Sequence, residues 1–310
     1  MSRNAALRRT IRRAIHAAGW SVEFLDESDG ADASAGSDAA IVIVDRDSFG
    51  GSDDELVQIA GPEGKIIIVG DSLDDEKVIA RLRHSPMDHL ITDLCEGDGH
   101  VLLVTSAKLL SGDIFGLGKY LSWGVPVHEI CIQDYEQKRA AVDEVAAYAS
   151  TVGARRQLIA RIEIVVDELL MNALYDAPSI RHGVSRHRRV SEVVDGSSPT
   201  DETATLCYAA DGRYLAVSVQ DNFGELKKGA ILDHLTRARA EKGRPKQAAN
   251  GSGGAGLGLY FILSAATRFI ANIDPGQRTE VICLFDLQQT GRESTTCAQS
   301  LHIFHTRPTG

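Results

Sequence analysis

The sequence predicts an α/β protein in two parts: a doubly wound parallel sheet, then an α/β sandwich on a mixed sheet. Three observations lead there. Up to residue 108, short β-branched runs alternate with amphipathic stretches, the rhythm of a parallel sheet covered on both faces. Beyond Val127 the strands alternate apolar with polar residues, and two of them are joined by an Asp-Gly turn, a hairpin signal. Late in the chain, GSGGAGLGL at 251–259 runs directly into YFILSAATRF, a glycine-rich turn that opens a helix.

Composition narrows the function classes. A chain of 310 residues with 43% hydrophobic and 25% charged residues is long enough for two buried cores. The net charge of -10 argues against nucleic acid as a partner, and the local clusters RRTIRR and RHGVSRHRR read as solvated surface. Cys95, Cys131, Cys207, Cys283 and Cys297 show no metal-ligand spacing. Cys131, Cys207 and Cys283 sit in apolar runs and are expected as buried thiols, which fits a reducing compartment. The basic start is followed by a stretch too short and polar for a secretion signal, and no apolar run is long enough to span a membrane. The expected location is cytoplasmic, with no membrane partner.

The first part, residues 1–108, opens with a helix, ALRRTIRRAIHAAG. Strands follow at 21–25 (SVEFL), 39–45 (AAIVIVD), 65–70 (KIIIVG) and 89–92 (HLIT), with helices at 53–60, 74–84 and 100–110. Order and spacing resemble a response-regulator receiver, a flavodoxin-like fold. By that resemblance Asp45, closing IVIVD, takes the position of the phosphoacceptor aspartate. The match is degenerate: the first strand with its magnesium-binding acidic pair is missing, and LCEGDG stands where the lysine–proline pair belongs. Without metal ligands the charge of a transferring phosphoryl group is not neutralised, so a role in partner binding or dimerisation is expected instead. Residues 109–126 form a connector in which Ile114, Phe115, Leu117, Tyr120, Leu121 and Trp123 read as packing residues between domains.

The second part, residues 127–287, begins with a strand, HEICIQD, and two helices, YEQKRAAVDEVAAYASTVG and ARRQLIARIEIVVDELLMNALYDA. In ELLMN, Glu168 and Asn172 stand four apart and share one helix face within apolar surroundings. An amide oxygen suits a hard cation such as magnesium, and a carboxylate can accept a proton from an attacking hydroxyl. Strands ATLCYAA (204–210) and YLAVSVQD (214–221) follow, the second ending in DNFGEL with Asp221 and Gly224. At GAGLGL the amides of a helix N-terminus can face phosphate, and glycine permits close approach. No strand precedes these glycines and no GK[ST] follows, which argues against a dinucleotide fold and a P-loop.

Glu168 with Asn172, Asp221 with Gly224, and Gly254, Gly256 and Gly258 resemble, in order and context, the N, G1 and G2 boxes of the GHKL ATPase superfamily. The resemblance implies a Bergerat fold holding ATP and Mg2+ between a helical layer and the sheet. Glu168 would be the general base, Asn172 the magnesium ligand and Asp221 the acceptor for the adenine amino group. Gly254, Gly256, Leu257 and Gly258 would hold the triphosphate, and Thr279 would stand beside the adenine. The loop from about 225 to 253, with Lys227, Lys228, Arg244 and Lys246, would be the lid. Phe223 departs from the family glycine and could narrow the pocket.

His128 is the only histidine followed by an acidic residue and it lies in a strand, which argues against autophosphorylation on histidine; too little chain follows Asp286 for a gyrase-like clamp. The arrangement is most similar to anti-sigma factor serine kinases. It implies transfer of the ATP γ-phosphate to a serine or threonine of a partner regulatory protein, with a non-catalytic ATP-binding scaffold or switch as the alternative. Whether two chains form a homodimer stays open. Residues 181–202 read as a polar loop, and the tail, 288–310, carries a short apolar stretch, SLHIF, that can dock on the body.

Overall fold

The computed structural model describes residues 4–24, 40–45, 48–61, 64–70, 76–83, 87–92, 94, 99–183, 202–242, 258–288 and 300–306. It is a mixed α/β protein with nine strands among these residues. They divide into two compact units, 1–114 with 299–302, and 115–298 with 303–310. The connector residues 115–126 therefore group with the second unit, and the tail is shared between the two.

In the first unit, β1 (Val42–Asp45), β2 (Ile66–Val69) and β3 (Met87–Ile91) pair in parallel in that order. The connections run through α2 (Asp53–Ala60) and α3 (Glu76–Leu82), and α3 packs on β3. Helices α1 (Ala5–Ala17) and α4 (His100–Ser111) pack together on one sheet face. There Leu7, Ile11, Ile15, Val101 and Leu102 meet Ile67, Val69 and Ile91. Ile66, Ile68 and Leu90 point the other way by strand alternation and are equally buried, so both sheet faces are covered. The opening residues of β9 (Ser300–His305) pair antiparallel with β3.

The strand expected at 21–25 is absent from its described residues, 21–24; instead the Phe24 ring lies 5.0 and 5.2 Å from the Arg8 and Arg12 guanidinium groups of α1. Cation–π contact with a helix has replaced strand pairing. Asp45 closes β1 but is only 4% exposed, and its carboxylate accepts a hydrogen bond of 2.8 Å from the Ser48 hydroxyl.

In the second unit, β4 (His128–Ile132), β5 (Ala204–Ala210), β6 (Tyr214–Asp221), β7 (Arg268–Asp274) and β8 (Arg278–Asp286) follow the order β7-β8-β6-β5-β4. These five pair antiparallel throughout, where a mixed sheet was expected; the parallel pairings belong to the first unit. Strand β7 was not legible in the sequence. The apolar helical pattern runs on to Phe269, but the helix stops at Ala265, and Arg268 to Ile273 are buried without alternation. Burial on both faces erases the period of two. Arg268, 1% exposed, is accommodated by a hydrogen bond of 3.0 Å to the Tyr214 hydroxyl.

Helices α5 (Tyr135–Thr151) and α6 (Arg156–Met171) pack on one another and on the sheet, joined by a Lys138–Asp167 ion pair. On the sheet's other face the connector turn Leu117–Tyr120 packs against β6, and the Gly116 amide donates to Glu280 at 2.9 Å. Leu117, Tyr120 and Leu121 are buried, whereas Trp123 is fully exposed. Of the thiols expected to be buried, Cys283 is, Cys207 is half-buried and Cys131 is exposed, because β4 is an end strand whose outward residues nothing covers among the described residues. No described helix is long and apolar enough to cross a membrane.

Candidate functional site

Helix α6 buries Ile162, Val165, Val166, Leu169 and Leu170, which leaves Glu168 half-buried at the margin of that face. The helix then widens into one π-helical turn, Asn172–Asp176, before continuing as α7 (Ala177–His182). Insertions of this kind frequently sit at functional positions. Here it carries Asn172 and Asp176, both half-buried between the buried side chains of Ala173, Leu174, Tyr175 and Ala177.

These residues line one side of a cavity of about 480 Å³. The sheet supplies the floor through Val219 and Asp221 of β6 and Thr279 and Val281 of β8. Asp221 is paired with Thr279, and Val219 with Val281, so strand alternation sends all four to one face and Glu280 to the other. The remaining walls are α8 (Lys228–Lys242), with Ala230 and His234, the segment Glu225–Lys227 before it, and Gly258 and Leu259 of α9 (Gly258–Ala265). A loop over 225–253 was expected. Residues 228–242 are instead helical, because Ile231, Leu232 and Leu235 form an apolar stripe that is buried where α8 packs on α9.

Asp221 is 8% exposed, and one carboxylate oxygen accepts the backbone N–H groups of Phe223 (2.8 Å) and Gly224 (3.2 Å). Burial is the largest influence on this group and raises its pKa to about 6. The N–H donors oppose the rise and the nearby Glu225 charge adds to it. Thr279, directly across the ladder, is 2% exposed, and its hydroxyl has no hydrogen-bond partner among the described residues. A buried unpaired hydroxyl facing a cavity beside a buried carboxylate costs stability, and a polar ligand group would offset that cost.

At the far end of the row on α6, Glu168 lies over Gly258. A Cβ on that glycine would fall 2.1 Å from the Glu168 carboxylate oxygen, so only glycine leaves room for it. Gly258 opens α9, whose first N–H groups have no partners within the helix.

Of the residues singled out from sequence, Glu168, Asn172, Asp221, Lys227, Gly258 and Thr279 therefore line one cavity. Gly224 stands behind Asp221 as a hydrogen-bond donor rather than on the wall. Gly254, Gly256, Leu257, Arg244 and Lys246 lie outside the described residues. Phe223 does not narrow the pocket. It is buried away from the cavity, edge-on to His182 at 6.2 Å, while His182 pairs with Glu202 at 2.7 Å. Asp45 belongs to the first unit and has no part in this site. Sequence reading missed Asp176, Glu225 and His234. Glu225 adjoins a residue already noted and holds Arg181 at 3.3 Å; Asp176 reaches the wall through the π turn, which leaves no mark in an apolar pattern.

Polar side chains interrupt a mostly apolar wall. On the sheet side Asp221 and Thr279 offer an acceptor and a hydroxyl, and on the helical side Glu168 and Asn172 offer a carboxylate and an amide, with Gly258 against Glu168. Among the described residues no cluster of histidine, cysteine and carboxylate side chains is arranged to hold a metal by itself. The Asn172 side-chain oxygen could serve a hard cation such as Mg2+ only if a bound phosphate chain supplied the remaining ligands.

Neither a protein-family model nor a curated protein matches the sequence. Among solved structures, "The crystal structure of SiaB-SiaC complex from Pseudomonas aeruginosa" is similar at a TM-score of 0.32 and 14% identity. The match covers 51% of this chain and 88% of that one. So distant a likeness assigns no role to any residue, and the cavity is interpreted from its own side chains.

Proposed function

We propose that the second unit binds ATP with Mg2+ and transfers its γ-phosphoryl group to a serine or threonine hydroxyl of a partner regulatory protein. The observation that carries this reading is the pairing, across β6 and β8, of buried Asp221 with the unpartnered Thr279 hydroxyl, in the same cavity as Glu168, Asn172 and Gly258. Asp221 accepts the exocyclic amino group of adenine, and Thr279 bonds an adjacent ring position. Leu169, Ala173, Val219 and Val281 give the base an apolar enclosure. The phosphates extend toward Gly258, where the amides opening α9 receive them.

Asn172 would hold the magnesium ion, which neutralises charge on the phosphates. Glu168 takes the proton of the attacking hydroxyl as its oxygen bonds to the γ-phosphorus, while the bond to the β-bridging oxygen breaks and ADP departs. Such chemistry depends mainly on positioning and charge stabilisation, which these groups can supply.

Calorimetric titration tests binding, and slow hydrolysis of ATP, with water replacing the partner hydroxyl, tests chemistry. Micromolar binding by the wild type is expected, weakened about tenfold in Asn172→Ala. In Glu168→Gln the Kd should stay within about twofold while turnover falls by about 10²–10⁴, the usual contribution of a general base. Unchanged turnover in Glu168→Gln would leave only the binding module, with ATP as a switch; no binding by the wild type would remove both readings.

A further inference from the structure

We infer that Asp176 is a second protein group directed at the nucleotide-bound magnesium ion, and that the π turn exists to deliver it; this inference rests on the ATP reading above. In a continuous α-helix each step of four residues overshoots a full turn by about 40°, so a residue eight positions beyond Glu168 would stand about 80° around the axis. The wider turn over Asn172–Asp176 undershoots instead, because each hydrogen bond spans five residues. Asp176 thereby returns to the line of Glu168 and Asn172, and all three line the cavity.

Charge explains why a carboxylate there serves a cation rather than a phosphate. The cavity wall carries Glu168, Asp176, Asp221 and Glu225 against Lys227 and the imidazole of His234. A metal-free triphosphate brings about four further negative charges. Like charges brought close together in a partly buried site repel far more strongly than they do in water. A divalent cation between Asp176 and the phosphates turns that repulsion into attraction. The side chains alone are too few to hold the ion, in keeping with the absence of a self-sufficient metal cluster among the described residues. That the cavity is built for a polar ligand stands independently on Thr279, whose hydroxyl is 2% exposed and unpartnered on its floor.

The test compares affinity for the non-hydrolysable analogue AMP-PNP with excess Mg2+ and with EDTA, in the full chain and in Asp176→Asn. The wild type should prefer the magnesium form by at least about tenfold. Asp176→Asn should lose that preference from both sides, binding the magnesium form more weakly and the metal-free form more tightly, so that the ratio falls within about threefold. A merely structural role would weaken both forms equally. If Asp176→Asn does not give a cooperative thermal transition, Asp176→Ser, which also removes the charge, is read by the same ratio. A wild-type preference for magnesium that persists in full in the variant overturns the role of Asp176 and leaves ATP binding intact. No binding of either form by the wild type overturns both.

Discussion

Asp221→Asn is expected to abolish measurable ATP binding while making the protein more stable at neutral pH. The two effects have one cause. Asp221 is buried beneath the cavity with a pKa raised from 3.8 to about 6, so the folded state favours its neutral form. A carboxyl group whose folded pKa lies above its unfolded value contributes stability in full below about pH 4 and loses it as the pH rises through 6. At pH 7 the ionised group therefore costs folding about 3 kcal/mol. Asparagine removes that cost and keeps an oxygen for the Phe223 and Gly224 amides. Its NH₂ group, however, would face the adenine amino group donor to donor. The loss should exceed about 100-fold in affinity, since a buried polar mismatch is far worse than a missing contact. Thermal unfolding across pH 4–8 checks the first effect: the variant's advantage should be largest above pH 6 and vanish near pH 4. Calorimetry checks the second. A variant that is less stable at pH 7 would contradict the raised pKa.

Gly224→Ala and Gly258→Ala should differ sharply although both crowd a neighbour. Gly224 has φ of +65°, and a Cβ there would lie 2.2 Å from the Asp274 carbonyl oxygen and 2.6 Å from the Gly276 amide nitrogen. Both are backbone atoms of the β7–β8 turn, so relief requires the turn to move. Left-handed strain and steric overlap together should cost about 3 kcal/mol or more, read as a lower midpoint in denaturant unfolding. The Gly224 amide would also leave Asp221, weakening the proposed adenine contact. In Gly258→Ala the obstacle is the end of the Glu168 side chain, which can swing aside. Stability should change by about 1 kcal/mol or less, while turnover falls as in Glu168→Gln because the carboxylate has left its place. Equal destabilisation by the two alanines would show that the carboxylate is as fixed as the turn.

Local patterning made much of the second unit readable. Strands β5 and β6 lie where their residue types and the Asp-Gly turn place them, and α5 and α6 follow their apolar stripes. The site residues were readable for a related reason. Glu168 and Asn172 are polar residues set into an apolar helix face, and Asp221 ends an apolar strand, so each stands out from its background. What escaped was whatever lacked a period. Strand β7 is buried on both faces, α8 falls where the family resemblance implies a lid loop, and the segment at 21–24 carries β-branched and aromatic residues whose partner is a helix.

The sequence by itself determined which residue types stand at the end of each element, because apolar periodicity and turn chemistry are properties of a few consecutive residues. Convergence was decided only by the tertiary structure. The β6–β8 register sets Asp221 opposite Thr279 and leaves a hydroxyl unpaired, packing of α9 on α6 seats Gly258 under Glu168, and one added residue of helical turn rotates Asp176 onto the cavity wall. Each depends on contacts between segments far apart in the chain, or on a fraction of a helical turn, and neither is encoded in the spacing of neighbouring residues.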